Sequence, residues 1–298
     1  MKGSYLNDEF FSRLEALELN LRADLSGYFG GKHRVKTYGQ TVEFADFREY
    51  QPGDDIRRID WNLFARFEKH YLRLFTDERQ MHVQIFLDCS ASMMTHPDKA
   101  AHAVAMAAGL GFLAVHNTDK VSFNMVKGGR AENPYGTIVG KNAFYRAIGA
   151  LETIEYEGEV DFAAAIGGCA DVGTNDGLTV IISDFFTNSD WRKAVDFLCH
   201  KKRQVLLVQI LSREEIEPLY SGRLDLIDAE SWGLEDDRNL RVRMTRSLLD
   251  AYDQALHDII DEMKTFCFKR GVDFISIDTD TPIEKVIFKE LLRTNYIK

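Results

Sequence analysis

Two hydrophobic periods take turns along this chain. Val83, Ile85 and Leu87 alternate with Gln84 and Phe86 in a run too short for a helix. Such a run, rich in β-branched residues, predicts a buried strand. Similar runs follow at 120–126, 178–183, 204–211 and 272–277. Between and after them lie helical patterns. These are 98–116 (Ala-rich and mostly apolar), 141–154, a segment from 162 to about Ala170, 190–201, a long amphipathic stretch over 245–270, and 282–293. About five strands, each followed by a helix, predict an α/β fold with a doubly wound, mostly parallel sheet of Rossmann type. Residues 213–245 are less regular and read as a loop with a short β excursion at 223–227 and 241–244.

The first eighty residues read differently. Phe10, Leu14, Leu17, Leu21 and Leu25 recur at helical spacing, Asn7 can cap the segment, and Asp8 and Glu9 suit its first turn. A helix over 7–26 follows; an apolar stripe of that kind normally packs on the neighbouring domain, and the other reading is a docking helix for a partner. Gly27, Gly30 and Gly31 break it. Residues 33–80 are charged and turn-rich. Pro52-Gly53 marks a turn, Asp54 or Asp55 can cap a short helical segment, and Trp61, Leu63 and Phe64 are apolar anchors. Tyr71, Leu72, Leu74 and Phe75 suggest a strand. The expected organisation is therefore a helical and β N-terminal lead-in over 1–78, packed on a main domain over 79–298. The lead-in has two readings: a packed approach to the domain, or an interaction surface built on Arg57, Arg58, Asp60 and Trp61, since Arg and Trp are common interface anchors.

The chemistry concentrates where strand 83–87 ends, in Asp88-Cys89-Ser90-Ala91-Ser92. A carboxylate and two hydroxyls at i, i+2 and i+4 can turn toward one point in a loop, and hard oxygens suit Mg²⁺ or Mn²⁺. The same pattern also suits a self-bonded turn ahead of the next helix. In open α/β sheets ligands sit beyond the carboxyl ends of the strands, where this loop would lie. Other chemistries find less support. Gly31-Lys32 and Gly140-Lys141 lack the phosphate-loop spacing, with Ser26 and His33, and Tyr135 and Asn142, at the required positions. Asp54, Asp55 and Asp60 do not make a calcium loop. Ser90 or Ser92 with His96 as base would need a nucleophile elbow, and no G-x-S-x-G is present.

Charge sharpens the picture. The 298 residues carry a formal net charge of -10. Residues 1–80 hold 13 Lys and Arg against 14 Asp and Glu, so the acidity falls on the part with the D-x-S-x-S loop. That disfavours a nucleic-acid partner and allows a cationic or metal-bridged one. Lys201, Lys202 and Arg203 form a small basic cluster, which reads as a helix end complementing the dipole. No long apolar run suggests a membrane span, and the N-terminus does not read as a signal peptide. Cys89, Cys169, Cys199 and Cys267 are scattered, as for reduced thiols in the cytoplasm.

The D-x-S-x-S pattern resembles the metal-ion-dependent adhesion site (MIDAS) of von Willebrand factor A domains. The run VEFADFREYQPGDDIRRIDWNLFARFEKHYLRLFTDER, followed at once by a strand ending DCSAS, resembles the bacterial domain-of-unknown-function 58 (DUF58) family, from about Gly31 to the end. The resemblance implies a von Willebrand factor A-like domain and a metal held by Asp88, Ser90, Ser92 and Asp184, the last closing an apolar strand. The family's G-G-T-D-L loop corresponds to EGEVDF here, which places Val160 where a ligating threonine is expected. Asp161 or Glu159 is then the candidate to supply an oxygen. The resemblance further implies a non-enzymatic interaction module, an adaptor for a MoxR-type AAA+ ATPase, with the ion bridging to an acidic loop of a partner or client. The alternative is a scaffold with a vestigial metal site that binds partners through residues 40–75.

Overall fold

The structure, a computed structural model, describes residues 6, 9–16, 43–76, 81–170, 172, 177–220, 222–227, 229–230, 239–283 and 285–287. The expected helical positions Leu17, Leu21 and Leu25, the glycines of 27–31 and the helix beyond 287 lie outside them. Two compact units emerge: residues 1–19 with 81–297, and residues 20–80 with the terminal Lys298.

In the larger unit, β3 (His82–Asp88), β4 (Lys120–Lys127), β7 (Leu178–Ser183), β8 (Gln204–Leu211) and β11 (Asp273–Asp278) form the parallel heart of one sheet. Two short strands, β5 (Arg130–Glu132) and β6 (Ile138–Val139), pair antiparallel with β4. The strand order is β11-β8-β7-β3-β4-β5, with β6 also on β4. The chain thus starts in the middle of the sheet, grows to one edge, then returns to β7 and grows to the other. This is the doubly wound order, and its reversal point lies between β3 and β7.

Both sheet faces are covered, which is why β3 and β7 read as nearly continuous apolar runs. One face carries α5 (Phe162–Gly167), α6 (Trp191–His200) and α8 (Arg246–Arg270). Their Phe162, Ile166, Trp191, Val195, Met263 and Cys267 pack with Phe86, Val126, Ile181 and Leu207 of the sheet. The other face carries α3 (Pro97–His116) and α4 (Lys141–Leu151). Gly111 lets α3 lie close: a Cβ there would stand 2.6 Å from Phe123 Cζ and 3.0 Å from a ring carbon of Phe144. Helix α1 (9–16) lies over α3, with its Phe11 ring 5.4 Å from Phe112 and its Leu14 buried beside Gly109.

By length and composition α3 would suffice to cross a bilayer. Its burial is instead that of a core helix, from Ala103 to Val115 almost throughout. At the opposite end of the strands, the buried Arg203 guanidinium donates to the carbonyls of His82 and Leu178 and to Thr179 Oγ1. So the third member of the basic cluster is a staple rather than a solvated cation, and burial lowers its pKa to about 10. Gly177 is required beside it, since a Cβ would stand 2.1 Å from Arg203 Nη1. Between β8 and α8 the chain makes α7 (Arg213–Ile216) and the antiparallel hairpin β9 (Gly222–Ile227) and β10 (Asn239–Met244).

The smaller unit pairs β1 (Glu43–Glu49) antiparallel with β2 (Tyr71–Thr76). Between them come the Pro52-Gly53 turn, a 3-10 turn at Ile56–Arg58 capped by Asp55, and α2 (Trp61–Phe67) capped by Asp60. Asp54 receives the Gln51 N–H and the Arg48 guanidinium, which hold its carboxyl below the usual range.

Candidate functional site

The site forms at the reversal point of the sheet, where β3 and β7 end side by side. Asp88 ends β3 and Asp184 follows β7, and both are essentially buried. Ser90 is buried with them and Ser92 half-buried. The D-x-S-x-S loop is braced from below and from the side. Cys89 N–H donates to Val126 O of β4 at 3.1 Å. Ala91 N–H donates to Gly158 O, and Glu157 N–H to Cys89 O, which ties in the 155–160 loop.

The oxygens that the sequence offers to a metal have partners already. Asp88 Oδ1 accepts the Ser90 N–H at 2.8 Å, the self-bonded turn expected of Asx residues. Asp88 Oδ2 accepts the Ser183 hydroxyl at 2.5 Å. The Ser90 and Ser92 hydroxyls pair with each other at 3.0 Å. Asp184 Oδ1 accepts the Phe186 N–H at 2.9 Å. Its Oδ2 accepts from a group that the sequence reading did not single out, the Lys99 ammonium, at 2.7 Å.

Lys99 sits in the first turn of α3 with its side chain wholly inside. Besides Asp184 it donates to Glu215 Oε1 at 2.7 Å and to the Ser92 carbonyl at 3.1 Å. All three ammonium protons thereby have acceptors. Glu215 is held in place by a capping box at the start of α7. Its Oε2 accepts the Ser212 N–H at 2.8 Å while Ser212 Oγ accepts the Glu215 N–H. Burial lowers the affinity of Lys99 for its proton, but Asp184 and then Glu215 more than offset this, and the net shift is upward. Among the described residues, no such cation stands beside Asp88. Burial first, then the neighbouring Asp184, push its carboxyl up to about 6.

The remaining expected residues lie elsewhere. Val160 is 2 % exposed and packs with Phe86, Val126 and Phe162, so this position faces the core and offers no donor. Its carbonyl accepts the Thr187 hydroxyl at 2.9 Å. Asp161 caps α5, accepting the Ala164 N–H at 3.0 Å, and Glu159 accepts from Asn188. The hydroxyl of Tyr156 is buried near Cys89 and Asp88 with no hydrogen-bond partner among the described residues, and burial raises its pKa. In the smaller unit, Asp60 is buried as the cap of α2, receiving the Asn62 and Leu63 N–H groups at 2.9 and 3.3 Å. Arg57 is exposed, and Trp61 is 60 % exposed. The Arg58 side chain lies outside the described residues.

Two carboxylates and two hydroxyls are hard oxygens of the kind Mg²⁺ and Mn²⁺ take. As arranged, they do not fit such an ion. Asp184 is neutralised by an ammonium, each serine hydroxyl is paired with the other, and the threonine position is apolar core. Among the described residues, no group of three or more His, Cys, Asp or Glu is placed to hold a metal.

A D-x-S-x-S loop after the first strand of a doubly wound sheet, with an aspartate after a later strand beside it, resembles the arrangement of von Willebrand factor A domains. The family model "Protein of unknown function DUF58" matches residues 46–258, and the chain belongs to that family. Two curated relatives are the uncharacterized proteins Rv1480 of Mycobacterium tuberculosis and Mb1516 of Mycobacterium bovis. Each is 27 % identical over 237 residues, covering 78 % of this chain and 74 % of the relative. Among solved structures, a conserved hypothetical protein BatB from Bacteroides thetaiotaomicron aligns with TM-score 0.42 and 16 % identity, over 72 % of this chain and 98 % of that one. A von Willebrand factor type A protein from Catenulispora acidiphila aligns with TM-score 0.34 and 10 % identity, over 46 % of this chain and 34 % of that one.

Proposed function

We propose that this chain is a non-enzymatic, cytoplasmic protein-interaction module that binds its partner through the surface of residues 43–76. The observation that carries this reading is the exposure of Ile56 (62 %), Trp61 (60 %) and Phe67 (62 %) within twelve residues, beside the exposed Arg57. Large apolar side chains and Arg are the usual energetic anchors of interfaces. A hydrolytic reading has less support: Ser90 and Ser92 hydrogen-bond each other, and His96 Nδ1 lies 3.7 Å from a Glu214 carboxylate oxygen. The family resemblance points to a MoxR-type AAA+ ATPase as the partner class.

A second reading places the contact at Asp88, Ser90, Ser92 and Asp184, through Mg²⁺ or Mn²⁺ to an acidic loop. The convergence of those four residues at one sheet edge favours it, and it requires Lys99 to leave Asp184. Binding of the full chain to a MoxR-type ATPase by biolayer interferometry separates the two. The first reading expects Trp61→Ala or Arg57→Ala to weaken binding at least tenfold, about 1.4 kcal/mol, and chelation by EDTA to change nothing. Binding that survives both substitutions but is abolished by EDTA would transfer the contact to the sheet edge.

A further inference from the structure

We infer that Lys99 is the resident cation of this site: its ammonium takes the place that a divalent ion would hold at the D-x-S-x-S rim, so the rim is assembled without metal. The inference concerns the isolated chain and does not depend on which partner it binds.

Three observations carry it. The first is the position of the charge. Lys99 is 0 % exposed, and its Nζ lies 2.7 Å from Asp184 Oδ2, the carboxylate that closes the second strand of the site. A buried ammonium this close to Asp184 excludes a second cation from the same oxygen, through repulsion that low local polarity strengthens. The second is valence. Nζ also donates to Glu215 and to the Ser92 carbonyl, so one ammonium joins the loop after β3, the end of β7 and the start of α7. A divalent ion would join the same kind of segments through the same kind of oxygens. The third is the donor shell itself. Where the family pattern expects a hydroxyl, Val160 is packed into the core, and the Ser90 and Ser92 hydroxyls are joined by a hydrogen bond.

Placing a lysine in the first turn of a helix opposes the helix dipole, and burying it without partners would be still less favourable. The two carboxylates account for its presence there. One of them, Glu215, comes from outside the metal-ligand pattern and is fixed by its own capping box. The consequence is a rim whose shape does not vary with divalent-ion concentration.

The test is Mn²⁺ titration of the full-length, chelator-stripped chain, following free Mn²⁺ by electron paramagnetic resonance, for wild type, Lys99→Ala and Lys99→Ala with Asp184→Ala. The expected result is no saturable binding by wild type in millimolar Mn²⁺, binding by Lys99→Ala, and its loss in the double variant. Thermal melts should agree, with wild type indifferent to EDTA and Mg²⁺ and Lys99→Ala raised by Mg²⁺. Saturable binding by wild type that is lost in Asp88→Ala would overturn the inference. So would a folded Lys99→Ala that gains no ion. If Lys99→Ala does not fold, the wild type still decides. A protected Lys99 ammonium, seen by ¹⁵N–¹H NMR and unchanged by Mg²⁺, supports the inference, and an ammonium in free exchange with water overturns it.

Discussion

Lys99→Met keeps most of the side-chain volume and removes the charge from between two carboxylates. Removing one partner of a buried pair leaves the other uncompensated, at a cost of about 3–5 kcal/mol. Urea unfolding of the metal-free variant, followed by circular dichroism, should show a loss of that size. The cysteines give a second expectation at this scale. Burial pushes the Cys89 and Cys267 thiols up to about 12, so they stay protonated and enclosed at pH 8. Iodoacetamide on the native protein should therefore label Cys169 and Cys199, which are half-buried, before Cys89 or Cys267, read by peptide mass spectrometry. The grouping of Asp88, Ser90 and Ser92 was legible from the D-x-S-x-S pattern at a strand end, and that of Asp184 from the family resemblance. Lys99 and Glu215 were not. Lys99 stands 85 positions from Asp184 and 116 from Glu215, and no periodicity reports a contact at that range. One signal was available: Lys99 is a cation in the first turn of a mostly apolar helix, where the dipole disfavours it.

The long elements were legible and the short ones were not. Strands β3, β4, β7, β8 and β11 and helices α3, α6 and α8 fall within a residue or two of their hydrophobic patterns, except that α4 and α5 stop about three residues early. The strands β5 and β6 and the helix α7 span three, two and four residues, too few to show a period. The strand β1 hid for another reason: its register shifts between Phe44 and Asp46, and a bulge breaks the alternation that betrays a strand. The packing of α3 gives the expectation at this scale. Gly111→Ala would gain up to about 1 kcal/mol of helix propensity. It would also press a methyl group against Phe123 and Phe144, and overpacking costs about 1–3 kcal/mol. The second effect should prevail, visible as a lower melting temperature than wild type.

For the molecule as a whole, the net charge of -10 sets the longest-range behaviour. No gel shift of duplex DNA is expected at physiological salt, because the phosphate backbone would meet a surface of its own sign. A retarded complex at that salt would show that local basic patches outweigh the total. The placement of α3 has a consequence in time rather than in space. This apolar helix is complete by residue 116, yet it packs on β7 and β8, and β8 is not complete until residue 211. At a synthesis rate of about 5–20 residues per second, the ribosome needs roughly 5–20 s to make the intervening chain. Throughout that interval a stretch greasy enough for a bilayer has only part of its final shelter. Its safe passage on a growing chain is a task for holding chaperones, and depletion of these should send nascent chains truncated between 116 and 211 into the insoluble fraction before it affects the finished protein.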